Sequence, residues 1–198
     1  MNLVNKENIA ALVLCGGKSE RMGQDKCFIN YHGQPQVFHL VGLLQSFVGE
    51  VFISCNEQQA IKIAANYHKI VDQQRFANKG PLTGLLSAMA QHPHKHWLII
   101  ACDYPLLNHE DVQQLLTAFY ENKDTVVFIN KAGFMEPLIA VYHHKDVVAL
   151  KETHEQYHNS LSAFLKENKS ITLLPNNPSH IESIDAPQQV VSIKKLLG

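Results

Sequence analysis

Residues 9–26 read IAALVLCGGKSERMGQDK: an apolar run over 9–15, a break at Gly16-Gly17, then a polar stretch carrying Lys18, Arg21 and Lys26. An apolar run of that length stopped by glycines is the pattern of a strand buried on both faces. Two glycines straight after it let the backbone approach a ligand and take positive φ, and the three cations add the charge that a phosphate seeks. The loop is neither of the two commonest phosphate loops. No Gly-Lys-Ser/Thr closes a P-loop, and the glycine spacing does not give the dinucleotide fingerprint.

Further strand-length apolar runs lie at 51–55, 97–102, 125–129 and 138–142, with helical stretches between them. Val37, Leu40, Val41, Leu44 and Phe47 recur at helical spacing, as do Leu82, Leu85, Leu86 and Met89. Asn108 is placed to cap a helix whose face is Val112, Leu115, Leu116 and Phe119, and helix also suits 161–166 and 188–197. The cluster PNNPS at 175–179 predicts a turn before a last short strand. Alternating β and α elements predict an α/β fold with a mostly parallel central sheet. Without an internal repeat or a long linker, residues 1–198 are expected to form one domain. Ligands of open α/β sheets bind beyond the carboxyl ends of the strands, which directs attention to Gly16, Asn56, Asp103 and Asp185.

The bulk properties exclude several classes. A net charge of -1 without a basic block lacks the footprint of a nucleic-acid binder. A hydrophobic fraction of 45% and a mean hydropathy of -0.12, with no long apolar run, speak against membrane insertion. Residues 1–7 are polar and lack the layout of a signal peptide. Cys15, Cys27, Cys55 and Cys102 form no C-x-x-C pair and read as reduced, mostly buried thiols. The expected compartment is the cytoplasm.

Asp103 directly follows five apolar residues, which sets a carboxylate at the end of a buried strand. It suits either a turn or Mg²⁺, which is held by one or two carboxylates together with substrate phosphates. The order of such features resembles one family, the molybdenum cofactor guanylyltransferases. The matching residues are Leu14-Cys15-Gly16-Gly17, Arg21-Met22-Gly23 and Asp25-Lys26, then Asn56, Asp72, Gly80-Pro81-Leu82 with Gly84, Ala101-Cys102-Asp103-Tyr104-Pro105-Leu106 and Glu136-Pro137-Leu138. The likeness covers nearly the whole chain.

That resemblance implies a three-layer α/β/α, Rossmann-like nucleotidyltransferase fold and Mg²⁺-dependent transfer of GMP from GTP to molybdopterin, with pyrophosphate leaving. It implies transient contact with cofactor-biosynthesis or acceptor enzymes, and no role for nucleic acid or membrane. Arg21, Lys26 and Asp103 are the expected catalytic groups, with Asp103 as metal ligand. Leu14, Cys15, Gly16, Gly17 and Lys26 are expected on the phosphates, and Asn56, Asp72, Gly80, Pro81 and Leu82 at the guanine end. Asn56 offers both a donor and an acceptor to a base edge, and Gly80-Pro81 opens a helix with unpaired backbone N–H groups. The segment Ser183-Ile184-Asp185-Ala186-Pro187 departs from the family pattern, and Asp185 reads equally as a helix cap. Rival readings are a cytidylyl or other transferase of the same fold, and a nucleotide-binding protein without turnover.

His154-Glu155-Gln156-Tyr157-His158 spells the two-histidine zinc motif, but its polar flanks suit an exposed segment better than a buried metal helix. His92, His94 and His96, and the pair His143-His144, read as exposed polar residues.

Overall fold

The computed structural model describes residues 8–15, 25–77, 79–153 and 160–197. A seven-stranded sheet forms its centre. Strand β1 (Ile9–Leu14) has β2 (Val51–Cys55) on one side and β4 (His96–Ala101) on the other, both parallel to it, and β3 (His68–Val71) extends the sheet parallel to β2. Beyond β4 lie β6 (Met135–Tyr142), antiparallel to β4, then β5 (Val126–Ile129), antiparallel to β6, and β7 (Ile171–Leu173), parallel to β5. The order is β3-β2-β1-β4-β6-β5-β7.

All six residues of β1 are buried, and since neighbouring side chains point to opposite faces, both faces of the sheet are covered. The chain runs from β1 through helix α1 (Gln36–Gln45) to β2, and through α2 (Glu57–Lys62) to β3. It then reverses through α3 (Pro81–Gln91) to β4. Right-handed crossovers in opposite directions put α1 and α3 on opposite faces. Phe47, just past α1, packs its ring 4.1 Å from that of His109, which opens α4 (His109–Asn122), so these two helices share a layer. Helix α5 (His144–Thr153) packs with α3. Three layers result. The reversal of strand order falls between β1 and β4, where such folds open a crevice at the carboxyl ends of the strands.

Asn108 caps α4 as its sequence predicts, in a reciprocal capping box with Asp111. Edge strands β3 and β7 escape the apolar-run criterion because they are short and partly exposed. The strand expected after the 175–179 turn is absent: β7 precedes the turn, and Pro178–Ile181 forms a single 3-10 turn. Helix α6 (Leu161–Glu167) leads into β7, and α7 (Pro187–Leu197) ends the fold. A small second core of Ile29, Tyr31, Ile184 and Val190 fastens the segment before α7 to the residues that follow Lys26. That contact positions the carboxylate of the last loop.

Candidate functional site

Asp103 stands two residues past the end of β4. Among the described residues its Oδ1 is buried with no hydrogen-bond partner. Burial pushes its carboxyl up to about 6, against the pull of the Lys26 ammonium, while Asp185 and Glu136 push it further up. Three chain-distant groups therefore face one carboxylate across the crevice. The main-chain carbonyl of Asp103 accepts from the N–H of Ile184 at 2.8 Å, which brings the C-terminal loop against the β4 turn.

Lys26 opens a short 3-10 turn at Lys26–Phe28, and its Nζ lies 2.5 Å from Oδ1 of Asp185. Ser183 donates its hydroxyl to Asp185 Oδ2 at 3.1 Å. The start of α7 is served instead by Gln189, whose Oε1 accepts from the N–H groups of Asp185 and Ala186. Asp185 is thus not spent as a helix cap, and its carboxylate faces the Lys26 and Asp103 side. The antiparallel direction of β6 brings its first residues to this same end. There Glu136 accepts from the Tyr104 hydroxyl at 3.0 Å and from Asn130 Nδ2 at 2.8 Å.

Gly16, Gly17, Lys18 and Arg21 lie outside the described residues, as does the histidine motif at 154–158. Both ends of the glycine stretch are described, and one buried side chain ties them. Gln59 Nε2 donates to the Cys15 carbonyl at 3.2 Å and to Asp25 Oδ1 at 3.5 Å, and Lys62 holds Asp25 Oδ2 at 3.1 Å. Sequence reasoning passed over Gln59, although its place three residues after Asn56 is the capping-box spacing. All four cysteines are free and buried, as expected.

The other flank of the crevice carries Asn56 and Asp72. Asn56 Oδ1 caps α2 by accepting from Gln59 N at 2.8 Å, so that oxygen is committed and the amide group remains as its donor. Asp72 accepts from Ser54 Oγ at 3.2 Å, and burial raises its carboxyl above the usual range. Gly80 and Pro81 form the cap and first turn of α3, while the side chains of Leu14 and Leu82 are in the core and offer a ligand only their main chain. A Cβ at Gly84 would sit 2.1 Å from Ser54 Oγ and 3.1 Å from Leu14 Cδ2. Only glycine lets α3 come this close to the strands beneath the crevice. The structure thus gathers Lys26, Asp103 and Asp185 on one side and Asn56, Asp72 and Gly80 on the other.

His96, His143 and His144 meet at the opposite end of β4 and β6, with ring centroids 4.5–4.8 Å apart. One ring nitrogen from each lies within 4.8 Å of the others. The Nδ1 atoms of His96 and His143 already accept from the N–H groups of His144 and Lys145, so their lone pairs serve the backbone. His92 instead packs its ring against Phe52 and Trp97.

A family model described as the MobA-like NTP transferase domain matches residues 11–171. A molybdenum cofactor guanylyltransferase of Pseudomonas entomophila (strain L48) is 30% identical over 131 residues, which cover 66% of this chain and 68% of that protein. A molybdenum cofactor biosynthesis bifunctional protein of Synechocystis sp. is 38% identical over 144 residues, 68% of this chain but 41% of the longer protein. Among solved structures, molybdopterin-guanine dinucleotide biosynthesis protein A from Archaeoglobus fulgidus superposes with a TM-score of 0.73 at 17% identity, covering 95% of this chain and 98% of that one. That likeness concerns the fold.

Proposed function

This chain belongs to the MobA-like NTP transferase family, and on that premise we propose that it transfers GMP from GTP to molybdopterin, forming the guanine dinucleotide cofactor and releasing pyrophosphate. The observation that carries the reading is the carboxylate oxygen of Asp103 at the reversal point of the sheet, buried without a partner among the described residues and faced by Lys26 and Asp185.

A terminal phosphate of the acceptor attacks the α-phosphorus of GTP, and pyrophosphate leaves. Such chemistry depends on positioning and on neutralising charge on the phosphate oxygens. Lys26 supplies a cation at the crevice, and Arg21 and Lys18 add theirs from the glycine stretch, whose backbone N–H groups cradle the phosphates. Gly16, Gly17 and Cys15 place that backbone. Asn56, Asp72 and the turn from Gly80 to Leu82 orient the guanine end.

Asp103 suits Mg²⁺ because a buried, unpartnered carboxylate oxygen is the hard donor that ion takes, and Asp185 supplies a second carboxylate beside it. Bound there, the ion offsets negative charge on the transferring phosphoryl group. The cytoplasm is the proposed compartment, supported by four free, buried thiols. Among the described residues no helix is long and apolar enough to cross a membrane.

The test is product formation from molybdopterin with GTP or CTP in the presence of Mg²⁺. We expect dinucleotide and pyrophosphate from GTP, lost on Asp103→Ala. Preference for CTP would overturn the assignment of the base, and nucleotide binding without turnover would overturn the assignment of the enzyme.

A further inference from the structure

The short turn between β5 and β6 lies at the carboxyl end of β4 and carries two exposed residues of complementary chemistry. Phe134 is 70% exposed, and Lys131 is exposed beside it. The turn is tightly built. Asn130 N–H donates to the Phe134 carbonyl at 2.9 Å, and Asn130 Oδ1 accepts from the N–H groups of Ala132 and Phe134. Gly133 takes a φ of 81°, a conformation that favours glycine. The large exposed side chain is therefore held on a fixed support.

The support leads to the reacting end of the molecule. Asn130 Nδ2 is bonded to Glu136, Glu136 to Tyr104, and Tyr104 is the neighbour of Asp103. Phe134 precedes Glu136 by two residues in the chain entering β6, which sets both on one face. Glu136 accepts from the hydroxyl of Tyr104, the residue after Asp103, so the hairpin end that carries Phe134 lies on that side, one step further out. Lys131 pairs with Glu182 at 3.4 Å in an exposed contact, next to the loop that carries Asp185. A surface pair of this kind gives up its cation at small cost.

We propose that the turn from Asn130 to Phe134 recognises the acceptor: Phe134 stacks on its bicyclic heterocycle and Lys131 meets its phosphate. A fixed aromatic face takes any flat heterocycle, and an adjacent cation selects a phosphorylated one. The nucleotide half of the crevice, built from β1, β2 and α3, has no part in this contact. The inference rests on the proposed function for the identity of the acceptor as a phosphorylated pterin.

The test compares the full chain with Phe134→Ala, Phe134→Trp and Lys131→Met, measuring KM for molybdopterin and for GTP separately. Phe134→Ala raises KM for molybdopterin about tenfold, as expected for loss of one stacking contact, and leaves KM for GTP unchanged. Phe134→Trp restores it, and Lys131→Met raises it again. An unchanged acceptor KM in Phe134→Ala and Lys131→Met, or an equal rise in KM for GTP, would overturn the inference while leaving the transferase reading intact. Should the native protein make no product from molybdopterin, the transferase reading falls, and binding of molybdopterin to Phe134→Trp decides the turn. Quenching of the new indole emission sustains the inference, and unchanged emission overturns it.

Discussion

The side-chain amide of Gln59 lies 3.2 Å from the carbonyl oxygen of Cys15, 44 residues earlier, and the same nitrogen reaches Asp25 on the far side of the glycine stretch. One 2%-exposed group thus holds both feet of the segment proposed to meet the triphosphate. Gln59→Leu keeps the volume and removes every one of these bonds. Steady-state kinetics should show KM for GTP rising about tenfold with kcat changed less than about threefold, a loss of one or two hydrogen bonds' worth of binding. Loss of the capping box adds a stability cost of about 1–2 kcal/mol, readable by urea denaturation.

Lys26 and Asp185 form an ion pair whose carboxylate is 65% exposed, so the pair itself adds little to stability. Its value lies in where it places the ammonium. Lys26→Met should lower turnover on the order of 100-fold, the scale for removing one charge from phosphoryl transfer, while the melting temperature moves by about 2 °C or less. Asp185→Asn, which weakens one contact of Lys26 and removes a neighbouring carboxylate, should have the smaller effect on turnover. An equal loss in both variants would show that the two act as a single unit.

Gly84 has no room for a methyl group. Gly84→Ala drives Cβ into Ser54 Oγ, which overpacking studies place at about 1–3 kcal/mol. Calorimetry on Gly84→Ala with and without Ser54→Ala tests the cause. The second change should recover part of the loss, because Leu14 Cδ2 remains 3.1 Å away.

Asp103 should cost the fold what it gives the reaction. Its carboxyl titrates near 6 in the folded protein, above its ordinary 3.8. The folded state therefore holds that proton more tightly than the unfolded chain, and stability falls as pH rises through this window. In metal-free buffer at pH 7.5, Asp103→Asn should be more stable than the native chain by about 1–3 kcal/mol. The advantage should shrink as pH falls through 6 and vanish near 4. Turnover of the variant should be lost, and added Mg²⁺ should raise the melting temperature of the native protein alone.

Much of the fold was legible because β1, β2 and β4 are buried on both faces and leave nearly continuous apolar runs. The edge strands were not: in β3, for example, His68 and Lys69 break the apolar run. Asp103 could be found by its place after a strand. The Lys26 to Asp185 pairing could not, because nothing local joins residues 159 apart. It depends on Ile184 docking beside Ile29 and Tyr31, a contact visible only in three dimensions. Gln59 was hidden for another reason: its spacing announces a helix cap, and the same amide also serves the glycine stretch.

The reversed direction of β6 has one more effect. In an all-parallel sheet every wall of the crevice would come from a loop between a strand and a helix, and reshaping one would disturb a crossover. Here one wall is a hairpin tip, tied to its surroundings by Asn130 and Glu136. The proposed nucleotide side is encoded before residue 104 and this wall after residue 129. Mutation can therefore rewrite the hairpin, lengthening it or exchanging its aromatic residue, without touching the stretch of chain proposed to hold the triphosphate. A lineage could change what it modifies while keeping what it modifies with.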